Sequence, residues 1–146
     1  MTELPTLWLV TANYPFVRSG GEISFLPPEV QALFSAEEQR FGIHGGAVET
    51  SMMLHLAPAA VRMEHAAQWR SSSQDRAARY AVLGDGKSAK MGWAMQDYHS
   101  AGAVGDARAA SADKGHALVL AAAQALAQLL QELHALPAQT LAPAPG

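Results

Sequence analysis

The sequence predicts an α/β chain, because short apolar runs rich in β-formers alternate with segments whose apolar residues recur at helical spacing. Leu7-Trp8-Leu9-Val10-Thr11, bounded by Pro5 and by Asn13-Tyr14-Pro15, suits a buried strand. Phe41-Gly42-Ile43 and Gly92-Trp93-Ala94-Met95 read as further strand segments. Two helices complete the pattern, one after Gly46 that ends near Pro58 and one from Ser111 to about Leu136.

From Phe16 to Pro28 the chain is expected to make an irregular surface excursion, marked by Gly20-Gly21 and Pro27-Pro28. Ser35-Ala36-Glu37-Glu38 carries a capping-box signature, which places a short helical turn before Phe41. Beyond Val61 to Met63, the polar stretch Arg70 to Arg79 reads as solvated, and Gly84-Asp85-Gly86 as a turn. The last helix is the clearest element. Ser111 is its N-cap, Asp113 complements the dipole in its first turn, and Leu118, Ala122, Leu126, Leu129, Leu130 and Leu133 form a stripe that reads as core. Pro137 ends it, and the Ala/Pro-rich residues 138–146 hold too few large apolar groups to order themselves, which leaves residues 1–137 as one domain.

A chain of 146 residues, 49% hydrophobic and 16% charged, is long enough for one such core. Its net charge of −3, with ten scattered basic residues, provides no footprint for nucleic acid. No apolar run approaches the roughly 18 residues that a membrane span requires, and Met1 to Pro5 lacks a basic signal region, so the expectation is a soluble, cytoplasmic protein with no membrane partner. Without cysteine, any metal must be held by histidine and carboxylate.

Most polar residues have an ordinary explanation. Gly86-Lys87-Ser88 lacks the earlier glycine of a phosphate loop. His55, His65, His116 and His134 are isolated, and Asp97 with His99 fits common loop polarity. Glu49 is different: on a helical wheel it shares a face with Met52, Met53, Leu56 and Ala57, where an ionised carboxylate needs a cation or a set of hydrogen bonds. His44 precedes the Gly45-Gly46 turn, which can fold it back beside Glu49. An equally good reading has Glu49 complementing the dipole from the first helical turn.

His44-Gly45-Gly46-Ala47-Val48-Glu49-Thr50-Ser51-Met52-Met53-Leu54 resembles the H-x-G-x-x-E-T-S signature of the creatininase (creatinine amidohydrolase) family. Gly92-Trp93-Ala94-Met95-Gln96-Asp97, Gly102-Ala103-Val104-Gly105 and Ala112-Asp113-Lys114-Gly115 resemble the family's later stretches in the same order. The resemblance implies part of a three-layer α/β sandwich with a central, mostly parallel sheet. It also implies a metal-dependent amidohydrolase that cleaves a cyclic or linear amide with water activated by two divalent ions, zinc and/or manganese. Glu49 would be a metal ligand, His44 the catalytic acid/base, and Gly45 and Gly46 the backbone that substrate approaches, in a homo-oligomer acting on a small-molecule amide. The family's E-x-H-G and N-G-H metal motifs have no counterpart in the chain, so it is expected to be the C-terminal portion of such a domain, or else an inactive remnant serving binding or assembly. Arg40 and Phe41 stand where creatininases proper tend to carry substrate-stacking tryptophans, which points away from creatinine itself.

Overall fold

The computed structural model describes residues 26–84, 89, 92–137 and 140. The predicted strand Leu7 to Thr11, nearly all of the Phe16–Pro28 loop, Gly86-Lys87-Ser88 and all of the 138–146 tail except Thr140 lie outside them.

Five helices organise the described residues: α1 (Pro28–Gln31), α2 (Ala36–Phe41), α3 (Ala47–Leu56), α4 (Ser73–Arg79) and α5 (Ala112–Ala135). Strands β1 (Gln68–Trp69) and β2 (Gly105–Asp106) pair antiparallel, Gln68 with Asp106 and Trp69 with Gly105. The chain thus mixes helix and strand, and the sheet among the described residues is this small antiparallel pair.

The predicted caps are present. Ser35 accepts the Glu38 N–H at 3.1 Å to start α2, and Ser111 accepts the Lys114 N–H at 3.3 Å to start α5. α2 runs through Phe41 instead of giving way to a strand, and Gly42 closes it by donating to the Glu38 carbonyl. The solvated stretch after Arg70 is largely helix α4: Ser71 Oγ accepts the Ser73 N–H at its start, both serines are buried, and Asp75 and Arg79 suit its two ends. Gly92 to Met95 is not a strand. Asp97 Oδ2 captures the Ala94 N–H at 2.8 Å and closes a 3-10 turn, Met95–Asp97, a local bond that competes with strand pairing. Trp93 stays exposed, its ring edge-on to buried Tyr98.

The core lies where α3 crosses α5 and where the segment leading into α2 covers them. Leu26, Phe34, Ala47, Val48, Leu118 and Ala121 form it, with Val30 and Met52 at its margin. Close approach is set by small residues: a Cβ on Gly115 would overlap the Ser51 carbonyl, so glycine is what allows α5 to press on the α3 backbone. Ser51 is fully buried there, and its Oγ accepts the Ser111 N–H at 3.1 Å.

This contact corrects the face on which Glu49 was placed. α3 buries Ala47, Val48 and Ser51, whereas Met53 and Leu56 are exposed and Glu49 is partly exposed. Backbone proximity at small side chains, and not the apolar stripe, selects the buried side. The stripe of α5 is likewise core only at its start. Gly115, Leu118 and Ala121 are buried, while Leu126 and Leu130 are more than half exposed.

Candidate active site

The segment from His44 to Ser51 is held at several points. The His44 carbonyl accepts the Val104 N–H at 2.8 Å in an isolated antiparallel bridge, and Val104 is wholly buried. Gly45 then turns with φ +69°, a left-handed conformation that suits glycine, and Gly46 stands at the N-cap of α3 with no side chain to offer. Glu49, in the first turn of α3, reaches back over the cap: its Oε2 accepts the Gly45 N–H at 2.7 Å. Thr50 Oγ1 donates back to the Gly45 carbonyl at 3.3 Å.

The same turn brings His44 and Glu49 together. His44 Nδ1 lies 3.3 Å from Glu49 Oε2, with the two side chains 55% and 42% exposed. The carboxylate's setting is therefore half-open and hydrogen-bonded, and the dipole reading of the sequence describes it better than burial on an apolar face. Glu49 and Gly45 bound an open groove of about 420 Å³ together with Met53, Arg62, His65 and Trp69. His44 is not among its lining residues.

Gly46 is buried, and a Cβ there would overlap Glu38 Oε1 and come within 3.0 Å of the Gly105 Cα. The space that this glycine leaves is filled by Glu38, a residue that the sequence offered only as part of a capping box. Its neighbour in the chain, Glu37, is exposed and accepts from Gln74 at 2.9 Å. Glu38 is buried to 4% exposure, and its carboxylate accepts the Asp106 N–H at 2.9 Å and, at a longer 3.4 Å, the Val48 N–H.

Asp97 and His99 form no functional pair with this turn. Asp97 is engaged with the Ala94 N–H, and His99 Nδ1 accepts the Ala101 N–H at 3.1 Å. The Asp106 carboxylate points to Arg108, whose Nε is 2.8 Å away, and the guanidinium holds that carboxyl below its usual range. Among the described residues no group of three or more histidines and carboxylates stands close enough to hold a metal ion, so they do not by themselves fit the two-ion centre that the resemblance implies. Nor, among them, is any helix long and apolar enough to cross a membrane.

A family model, Creatininase (creatinine amidohydrolase), matches residues 17–130, most of the chain. The chain belongs to the creatininase family. A crystal structure from Bacteroides fragilis NCTC 9343, described as a "putative creatinine amidohydrolase", is similar in fold at 24% identity and a TM-score of 0.54, over 75% of this chain. The chain spans 42% of the length of that creatininase relative. A comparison of the sequence with curated proteins gives no significant match.

Creatininase motifs that are far apart in sequence meet around one turn. The H-x-G-x-x-E-T-S segment contributes His44, the capping carboxylate of Glu49 and the docking hydroxyl of Ser51. Val104, just before β2, and Gly105, in it, brace the turn, and Gly115 admits α3 onto α5. The Gly92–Asp97 motif packs elsewhere: the Tyr98 carbonyl that follows it accepts the Ser72 N–H, and Arg76 lies over the Tyr98 ring.

Proposed function

We propose that this chain carries the acid/base turn of a creatininase-type amidohydrolase acting on a small-molecule amide, cyclic or linear. The observation that supports this most is the 3.3 Å approach of His44 Nδ1 to Glu49 Oε2 on the turn that bears the family signature. In this reading Glu49 directs Nδ1–H toward itself and leaves Nε2 unprotonated, so that Nε2 takes a proton from the attacking water and passes it to the leaving nitrogen as the C–N bond breaks. The Gly45 backbone, beside the groove, is where substrate approaches; the Gly46 backbone, assigned the same role by resemblance, is covered by Glu38.

Zinc or manganese would supply an activated water when bound, and Glu49 is the residue of this turn that the resemblance makes a ligand. Such a centre needs about two further protein ligands per ion, and these would have to come from outside the described residues. The larger three-layer sandwich with its parallel sheet, and assembly into a homo-oligomer, belong to the same proposal. A second reading, an inactive module for binding or assembly, is favoured by the leucines that α5 exposes.

The test uses the whole chain with zinc or manganese added, assayed for hydrolysis of creatinine and of linear formamides and dipeptides. Turnover that falls about 10²–10⁴-fold in His44→Ala while metal content is kept supports the acid/base role. Glu49→Gln should lower metal content if Glu49 is a ligand, and should leave it unchanged if Glu49 serves His44 alone. A folded, metal-loaded chain that cleaves none of these amides favours the inactive module.

A further inference from the structure

We propose that Glu38 is the positioning residue of the His44 turn: its buried carboxylate joins the start of α3 to β2 and so fixes where His44 and Glu49 stand. α3 begins at a glycine N-cap that has no side chain to receive its first N–H groups. Glu38 takes over that task from another helix, accepting the Val48 N–H with Oε1 and the Asp106 N–H with Oε2. An acceptor at this end of α3 also suits the positive end of the helix dipole.

The surroundings are shaped to this carboxylate. Gly42 at the end of α2, Gly46 at the start of α3 and Gly105 in β2 close around it, and a Cβ at any of the three would run into its atoms. At Gly105 that Cβ would lie 2.7 Å from both Glu38 Oε2 and the Gly46 Cα. At Gly42 the three nearest atoms would all be those of the Glu38 carboxylate. Glu38 thus accounts for the glycine at Gly42 and contributes at Gly46, while Gly105 also needs glycine for its φ of +121° and for the close approach of the Gly46 backbone.

The consequence for His44 follows from where these bonds fall. The His44 carbonyl is bound by Val104, just before β2, and the Val48 N–H by Glu38, which also holds Asp106 in β2. The turn between them is clamped at both ends to the same short segment. Without Glu38 the Val48 and Asp106 amides lose a buried acceptor, and the Gly45-Gly46 backbone loses the contact that sets its path.

The importance of this clamp for proton transfer rests on the amidohydrolase reading, but the positioning can be measured without any substrate. The experiment combines amide hydrogen exchange with ¹⁵N NMR of the His44 ring in Glu38→Ala and Glu38→Gln, with Leu118→Ala as a control for general loss of stability. The proposal expects the Asp106 and Val48 amides to exchange at least about tenfold faster in the Glu38 variants than in a control of matched stability. It also expects the His44 tautomer preference of the wild type to be lost in them and kept in the control. Gly42→Ala should lower the folding constant about tenfold in the wild type and less than about threefold in Glu38→Ala. Unchanged amide protection, an unchanged His44 tautomer, or an equal cost of Gly42→Ala in both backgrounds would each overturn the proposal. If Glu38→Ala does not fold, Glu38→Gln carries the same comparison, because its amide can accept only one of the two N–H groups. A chain that behaves as expected here yet, folded and metal-loaded, cleaves no amide would favour the inactive module and leave the positioning role intact.

Discussion

The two halves of α5 carry the same kind of apolar stripe and meet different fates. In the first half Gly115, Leu118 and Ala121 are buried against α3, next to the turn that holds His44. In the second half Leu126 and Leu130 recur at the same helical spacing and remain exposed. Periodicity says which side chains share a face, and it is silent on whether another element covers that face. What selects the docked half is size: Gly115 and Ser51 let two backbones approach, and Leu118 then fills the space beside them.

Truncating one leucine in each half separates the docked part of α5 from the exposed part. Leu118→Ala should cost about 3 kcal/mol in denaturant unfolding, because a fully buried side chain leaves a cavity behind. Leu130→Ala should stay within about 0.5 kcal/mol, as exposed positions generally do. A cost at Leu130 comparable to that at Leu118 would mean that the second half is covered in solution. Gly115→Ala should follow at about 2 kcal/mol, since its Cβ would press on the Ser51 carbonyl and force the helices apart. Ser51→Ala should cost about 1 kcal/mol by leaving the Ser111 N–H without its acceptor, and Ser51→Thr should not restore it, for lack of room.

The smallest effect is expected away from the helix crossing, at Asp106. Arg108 lowers the carboxyl pKa of Asp106 in the folded chain, so the pair contributes stability above the unfolded value of about 3.9 and loses it as pH falls through the lower folded value. Acid unfolding curves should therefore be slightly shallower below about pH 4 in Asp106→Asn. An identical acid limb in the two proteins would show that the exposed guanidinium contributes nothing measurable.

The parts of this fold that were legible are those decided within a few residues. Ser35 and Ser111 are recognisable as caps because their partners lie three positions on, and α3 and α5 fall close to their predicted bounds for similar reasons. The family signature was legible too, and with it His44 and Glu49 as neighbours. Glu38 was hidden because its partners are 10 and 68 positions away, and nothing local separates it from Glu37, which faces solvent. The buried face of α3 was misread because hydropathy ranks Met53 and Leu56 above Ala47 and Ser51, although tight crossing favours the small residues. Gly92 to Met95 was read as strand because the competing bond comes from the Asp97 side chain, which a propensity argument does not weigh.

The proposed role of Glu49 is to hold His44 ready for proton transfer. The most direct measurement is the tautomer of neutral His44, read from its ring ¹⁵N shifts in the wild type and in Glu49→Ala. Nδ1 is expected to carry the proton in the wild type, and this preference to disappear in Glu49→Ala, where His44 shows the mixture of an unconstrained imidazole. A wild-type ring protonated mainly at Nε2, or a tautomer that does not change when the carboxylate is removed, would contradict it.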